Sequence, residues 1–144
     1  MRAWPFDPER DTRRLGNWKP EPMARTKARE DRQEAAVIQR VRAAVLEREG
    51  HACRLARTPV HGVCFGELEL AHLPKWRRSA TRGKPAEERH CTQGCVMLCT
   101  HAHNLLDGRN YPRLIVEHGE LGADGPMTWI CGGEVYRERE RRTA

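Results

Sequence analysis

Two short segments carry residue types that can do chemistry together. The first, Leu68-Glu69-Leu70-Ala71-His72-Leu73, is a hydrophobic strand-like run closed by an imidazole. The second, Leu98-Cys99-Thr100-His101-Ala102-His103-Asn104-Leu105-Leu106-Asp107, sets metal-type ligands at the start of what reads as a helix. Between them a loop carries Lys75, Trp76, Arg77, Arg78, Arg82, Lys84 and Arg89, opposed only by Glu87 and Glu88. A neutral imidazole accepts a proton near neutrality because its unperturbed pKa is about 6.5. His103 and Asp107 stand at i and i+4 on one helix face, where they can grip one divalent ion. A mixed nitrogen and oxygen pair suits magnesium, manganese, nickel or zinc. A base, a cation and a positively charged approach are what phosphodiester hydrolysis requires. Asp107 has a second reading, as a cap on the Gly108 turn.

The flanking sequence has to position these residues. From about Asp31 to Glu49 the pattern is helical: Val37, Ile38, Val41, Ala44 and Val45 share one face, and Arg and Glu lie opposite. Asp31 favours the helix N-terminus and Gly50 supplies a stop. This predicts a packing helix over 33–49, with Arg40, Arg42 and Arg48 on its outer side, solvated or touching phosphate. A loop from Cys53 to Cys64, turned by Pro59 and Gly62, leads to a strand over Glu67 to Leu73. The loop Pro74 to His90 comes next, then a strand at Cys95 to Leu98 and a helix near His101 to Leu106, stopped by Gly108. Arg113 to Glu117 and Met127 to Ile130 read as further strands with glycine-rich connections. Residues 1–32 read as a basic arm, since Pro5, Pro8, Pro20 and Pro22 interrupt any helix and apolar residues show no period. Trp4, Phe6 and Trp18 in it have three readings: anchors to the body, to a partner or to unpaired bases. The charge-alternating tail Arg137 to Arg142 reads as helical or frayed. The fold class expected is α+β.

Bulk properties narrow the partners. The chain has 144 residues, of which 38% are hydrophobic and 32% charged, so the core is small. A net charge of +6 favours a polyanion, nucleic acid first and an anionic membrane surface second. No apolar run reaches membrane-spanning length and the N-terminus lacks a signal-peptide stretch, which predicts a soluble protein in a reducing cytoplasm. In that compartment the six cysteines point to metal binding or small buried hydrophobes rather than disulfides. No base-reading motif is evident, so DNA contacts are expected mainly at the phosphate backbone, through Lys75, Arg77, Arg78, Arg82, Lys84 and Arg89. Trp76 either stacks on a base or sugar or packs against the core.

Residues 50–118 resemble the HNH endonuclease family. The likeness is carried by the Leu-Glu-x-Ala-His-Leu run ending near His72 and by Val96-Met97-Leu98-Cys99-x-x-x-His103. A weaker echo lies in Leu114-Ile115-Val116 and Gly122-Ala123-Asp124-Gly125-Pro126. The chain looks most like the small stand-alone HNH proteins of bacteriophages and prophages. The resemblance implies a ββα-metal core over 50–118, behind the packing helix and ahead of a C-terminal β-hairpin and charged tail in 119–144. It implies DNA cleavage with 5′-phosphate and 3′-hydroxyl products in a bacterial host cytoplasm. It makes His72 the general base, and it makes His103 and Asp107 ligands of one catalytic divalent metal. It further implies a zinc knuckle with Cys53 and Cys64 as one pair, Cys99 as the third ligand and His101, Cys95 or Cys91 replacing the expected ligand at Ala102. Two positions depart from the family pattern. Ala71 stands where many members place a metal ligand, and Glu69 on the same strand face is the expected substitute. Gly94 stands where the middle Asn belongs, leaving Gln93 or Asn104 to orient the base. These departures keep two rivals open: a zinc-braced DNA-binding module without catalysis, and an accessory factor whose aromatic arm docks phage packaging or replication proteins.

Overall fold

The computed structural model describes residues 22–56, 58–60 and 64–140. Residues 1–32 and 33–144 form two compact units. In the first, only the start of a helix is described, and Trp4, Phe6 and Trp18 lie outside the described residues. The chain is mixed α and β, as expected.

The first helix, α1, spans Met23–Glu49. It begins well before Asp31, because Pro22 fits at a helix start where no amide is needed: its carbonyl accepts from the Arg25 and Thr26 amides. The segment 23–32 read as arm is therefore helical. The helix ends as expected at Gly50, whose φ of 67° is left-handed. Of the predicted apolar face, Val37 and Val45 are buried, Ile38 and Val41 half-buried, and Ala44 exposed. Leu46 takes the place expected of Ala44. Arg48 is no solvated side chain: it donates to the carbonyls of Thr92 at 2.7 Å and Cys95 at 2.6 Å, and pairs with Asp124 at 2.8 Å.

Strand β1 (Leu68–His72) pairs antiparallel with β2 (Cys95–Cys99), with Leu68 opposite Cys99 and His72 opposite Cys95. Alternation splits β2 between two cores. Cys95 and Met97 pack with Val45 of α1, while Val96 and Leu98 join the main cluster with Ala71, Leu105, Leu106 and Trp129. The basic loop between the strands contains a short helical turn, α2 (Ala86–Arg89). Helix α3 (Thr100–Leu106) follows β2 directly, with Cys99 as its N-cap: the sulfur accepts from the Ala102 amide at 3.4 Å.

The C-terminal part is a three-stranded antiparallel sheet of β3 (Ile115–His118), β4 (Met127–Cys131) and β5 (Glu134–Arg137). Gly132 and Gly133 turn the β4–β5 hairpin, both at positive φ, the conformation a two-residue turn demands. Of the tail expected from Arg137 to Arg142, Arg137 ends β5, residues 138–140 are not helical, and Arg141 and Arg142 lie outside the described residues. Glu138 is pinned as well: its amide donates to Met127 O at 2.9 Å, and its carboxylate takes Arg54 through two bonds of 2.8 and 2.6 Å. Trp129 Nε1 and the Met127 amide complete its coordination.

Candidate active site and metal centre

His72 ends β1 and opens onto a cleft of about 340 Å³ that is also lined by Trp76, Arg77, His90, His103 and Asp107. Its Nε2 lies 2.9 Å from His90 Nδ1, with the rings edge to face. His90 Nε2 in turn lies 2.8 Å from Glu34 Oε1 on α1, and Arg89 reaches the same oxygen at 2.9 Å. Burial holds His72 below the usual imidazole range, and His90 and His103 push the same way against Asp107. The hydrogen bond from His90 holds the Glu34 carboxyl below its usual range, helped by Arg89, against the cost of burial. His72 is therefore neutral and Glu34 ionised near pH 7.

Helix α3 brings the second half of the site. His103 and Asp107 lie one turn apart and meet at 3.3 Å, Nε2 to Oδ2. The other nitrogen, His103 Nδ1, lies 2.8 Å from Glu69 Oε2. The expected substitute for Ala71 thus stands behind His103, across the ring from Asp107. Ala71 itself is buried in the main core. Arg77 lies 3.5 Å from Asp107 Oδ1 and donates to Leu106 O at 2.9 Å.

The basic residues divide into two groups. Lys75, Arg78, Arg82 and Lys84 are exposed, whereas Arg77 and Arg89 are half-buried in the contacts just given. Trp76 is packed: its ring covers Gly94, where a Cβ would lie 2.3 Å from Trp76 Cγ, and sits 5.5 Å from the His118 ring. Of the two readings of Trp76, packing is the one observed. No side chain fits at residue 94, and the neighbours proposed to replace the missing Asn are not on His72. Gln93 donates to Glu120 O, and the residue bonded to His72 is His90. His90 and Glu34 carry no local signal in the sequence. A Glu on the polar face of an amphipathic helix looks solvated, and His90 looks like one more polar loop residue.

A second cluster sits at the other end of β2. The sulfurs of Cys53, Cys64 and Cys99 lie within 4.8 Å of one another. Tetrahedral zinc with Zn–S bonds of about 2.3 Å spaces its sulfurs about 3.8 Å apart, so this group can hold a metal such as zinc. Burial pushes the Cys53 thiol up to about 12 and raises Cys64 too. A cation would offset that cost by stabilising the thiolates. Among the described residues the group closes on three thiols and does not include His101, which follows Cys99 by two residues. Cys99 is still extended at the N-cap while His101 lies inside the first turn of α3, so the strand-to-helix change separates the two side chains. Cys95 faces α1, and Cys91 donates to Glu88 O at 3.9 Å, so neither completes the set.

Among the described residues no helix is long and apolar enough to cross a membrane. Comparisons of this chain with protein-family models, with curated proteins and with solved structures found no match.

Proposed function

We propose that this chain is an HNH-type, metal-dependent endonuclease that hydrolyses DNA phosphodiester bonds, with a zinc-braced ββα core. The observation that carries the reading is the convergence of a neutral, half-buried His72 with His103 and Asp107 on one cleft beside exposed basic side chains. In this reading His72 takes a proton from water and the hydroxide attacks the phosphorus. His103 and Asp107 would hold the divalent ion, and their donor set of one imidazole and one carboxylate fits magnesium, manganese, nickel or zinc. Glu69 orients His103 by accepting its Nδ1 proton, which leaves Nε2 as the ligand nitrogen. That is the usual role of a carboxylate placed behind a metal-binding histidine. When bound, the ion supplies Lewis-acid stabilisation of the charge growing on the phosphate and the departing 3′ oxygen. Lys75, Arg78, Arg82 and Lys84 meet the DNA backbone, and Cys53, Cys64 and Cys99 would hold zinc.

One observation favours a second reading, a DNA-binding module without catalysis. Residues 71 and 94, where the family places a ligand and an orienting Asn, are a core alanine and a glycine under a tryptophan. Plasmid nicking separates the two. The wild-type chain is expected to nick with at least one of magnesium, manganese, nickel or zinc and not in EDTA. His72→Ala should lower the rate by about 10²- to 10⁴-fold, as loss of a general base does. Salt-sensitive DNA binding with no cleavage under any metal would leave the binding module.

A further inference from the structure

A hydrogen-bonded chain runs from α1 into the cleft: Glu34 Oε1, His90 Nε2, His90 Nδ1, His72 Nε2, with links of 2.8 and 2.9 Å. Such a chain has a direction. An ionised carboxylate only accepts, so the proton in the first link belongs to His90 Nε2. In neutral His90, Nδ1 is then a lone pair, and the second link needs its proton on His72 Nε2. That leaves His72 Nδ1 unprotonated, and it has no protein partner among the described residues. The reverse arrangement would point a nitrogen lone pair at a carboxylate oxygen across 2.8 Å. Arg89, 2.9 Å from the same oxygen, balances the carboxylate charge.

We infer that Glu34 and His90 are positioning residues that fix His72 in the Nε2–H tautomer and turn Nδ1 toward the cleft as the proton acceptor. The role of that acceptor rests on the endonuclease reading; the tautomer does not. The chain has the logic of a carboxylate-oriented histidine base, extended by one imidazole. It also gives α1 a purpose beyond packing, since Glu34 lies outside the segment that carries the family likeness. The carboxylate and the base are far apart in sequence and meet only through His90, which lies just after the turn α2 in the basic loop.

The test reads the tautomer directly. Ring-nitrogen NMR of the full-length chain with isotope-labelled histidine, the His72 signals assigned by their loss in His72→Gln, should show Nε2 protonated and Nδ1 bare. In Glu34→Ala, a substitution helices favour, and in His90→Phe, the His72 ring should become a mixture of tautomers while the chain stays folded. Plasmid nicking should fall by roughly ten- to a hundredfold in both. A wild-type His72 protonated on Nδ1, or a tautomer unmoved in both variants, would overturn the inference. If both variants cleave like wild type with an unmoved tautomer, the relay fails and the endonuclease reading stands. If the tautomer shifts but no protein cleaves, the relay stands and the endonuclease reading fails.

Discussion

Residue 94 is governed by packing: an added Cβ would lie 2.3 Å from Trp76 Cγ and 2.6 Å from its Cδ1 and Cδ2. Trp76 cannot easily retreat, because it is packed against the main core and against His118. Gly94→Ala is therefore expected to destabilise the fold by about 1–3 kcal/mol, the usual cost of overpacking, read as a lower urea midpoint at unchanged slope. An unchanged midpoint would mean that the indole yields freely and that Gly94 has no packing duty. The same contact explains why an Asn at this position could not reach His72 here without repacking. The contact on His72 comes instead from His90, which belongs to neither motif half and meets it at 2.9 Å. What was legible at this scale was what the spacing encoded: His72 at a strand end, and His103 with Asp107 one helical turn apart. His90 and Glu34 were illegible because the contact joining them spans a helix and a loop with no shared period.

At the scale of elements, short-range patterns were reliable where one face is buried. The strands expected over Glu67 to Leu73 and Cys95 to Leu98 are found at Leu68–His72 and Cys95–Cys99, and the helix expected near His101 to Leu106 starts one residue earlier, at Thr100. The errors arose where neighbours decide the outcome. Charge alternation from Arg137 onward suggested a helix or fraying, yet Arg137 closes the hairpin strand that Gly132 and Gly133 turn back beside β4, and residues 138–140 are not helical. The cysteine pairing was legible as a set of three and unreadable as four, since the turn from Cys99 into α3 decides which side His101 takes. These elements make a prediction of their own. Cys53, Cys64 and Cys99 tie the loop before β1 to the junction of β2 and α3, so a metal there would brace three segments at once. The protein as isolated is expected to carry about one zinc per chain and to lose roughly ten degrees or more of melting temperature on chelation. Cys53→Ser should abolish both the zinc and the chelator effect. A metal-free wild type with the same melting temperature in EDTA would sink the brace.

At the largest scale, the unit 33–144 is closed by one carboxylate. Glu138 accepts from Arg54, Trp129 and the Met127 amide, while Arg54, only 4% exposed in its side chain, also donates to the carbonyls of Ala123 and Gly125. The end of β5 is thereby fastened both to the turn before β4 and to the loop that follows α1. Burial would raise the Glu138 carboxyl, but the Arg54 hydrogen bond and charge, with Trp129 and Met127, bring it below the ordinary 4.5. A carboxyl depressed in the folded state contributes stability above its unfolded pKa and loses it as pH falls through the folded one. Glu34 is depressed below 4.5 in the same way, and His72 is held below 6.5, so it resists the proton that the unfolded chain accepts. All three have the same sign. Stability should begin to fall below about pH 6.5 through His72 and fall further below about pH 4.5 through the two carboxyls. Removing the carboxylate leaves Arg54 buried with less compensation, so Glu138→Ala should cost about 3 kcal/mol or more at pH 7. Glu138→Gln keeps the shape and an acceptor but has no proton to gain. Its urea midpoint should therefore start lower at pH 7 and decline less than that of the wild type between pH 5 and pH 3. Parallel declines in the two proteins would show that Glu138 is not an acid-labile clasp and would shift the acid sensitivity to the other depressed groups.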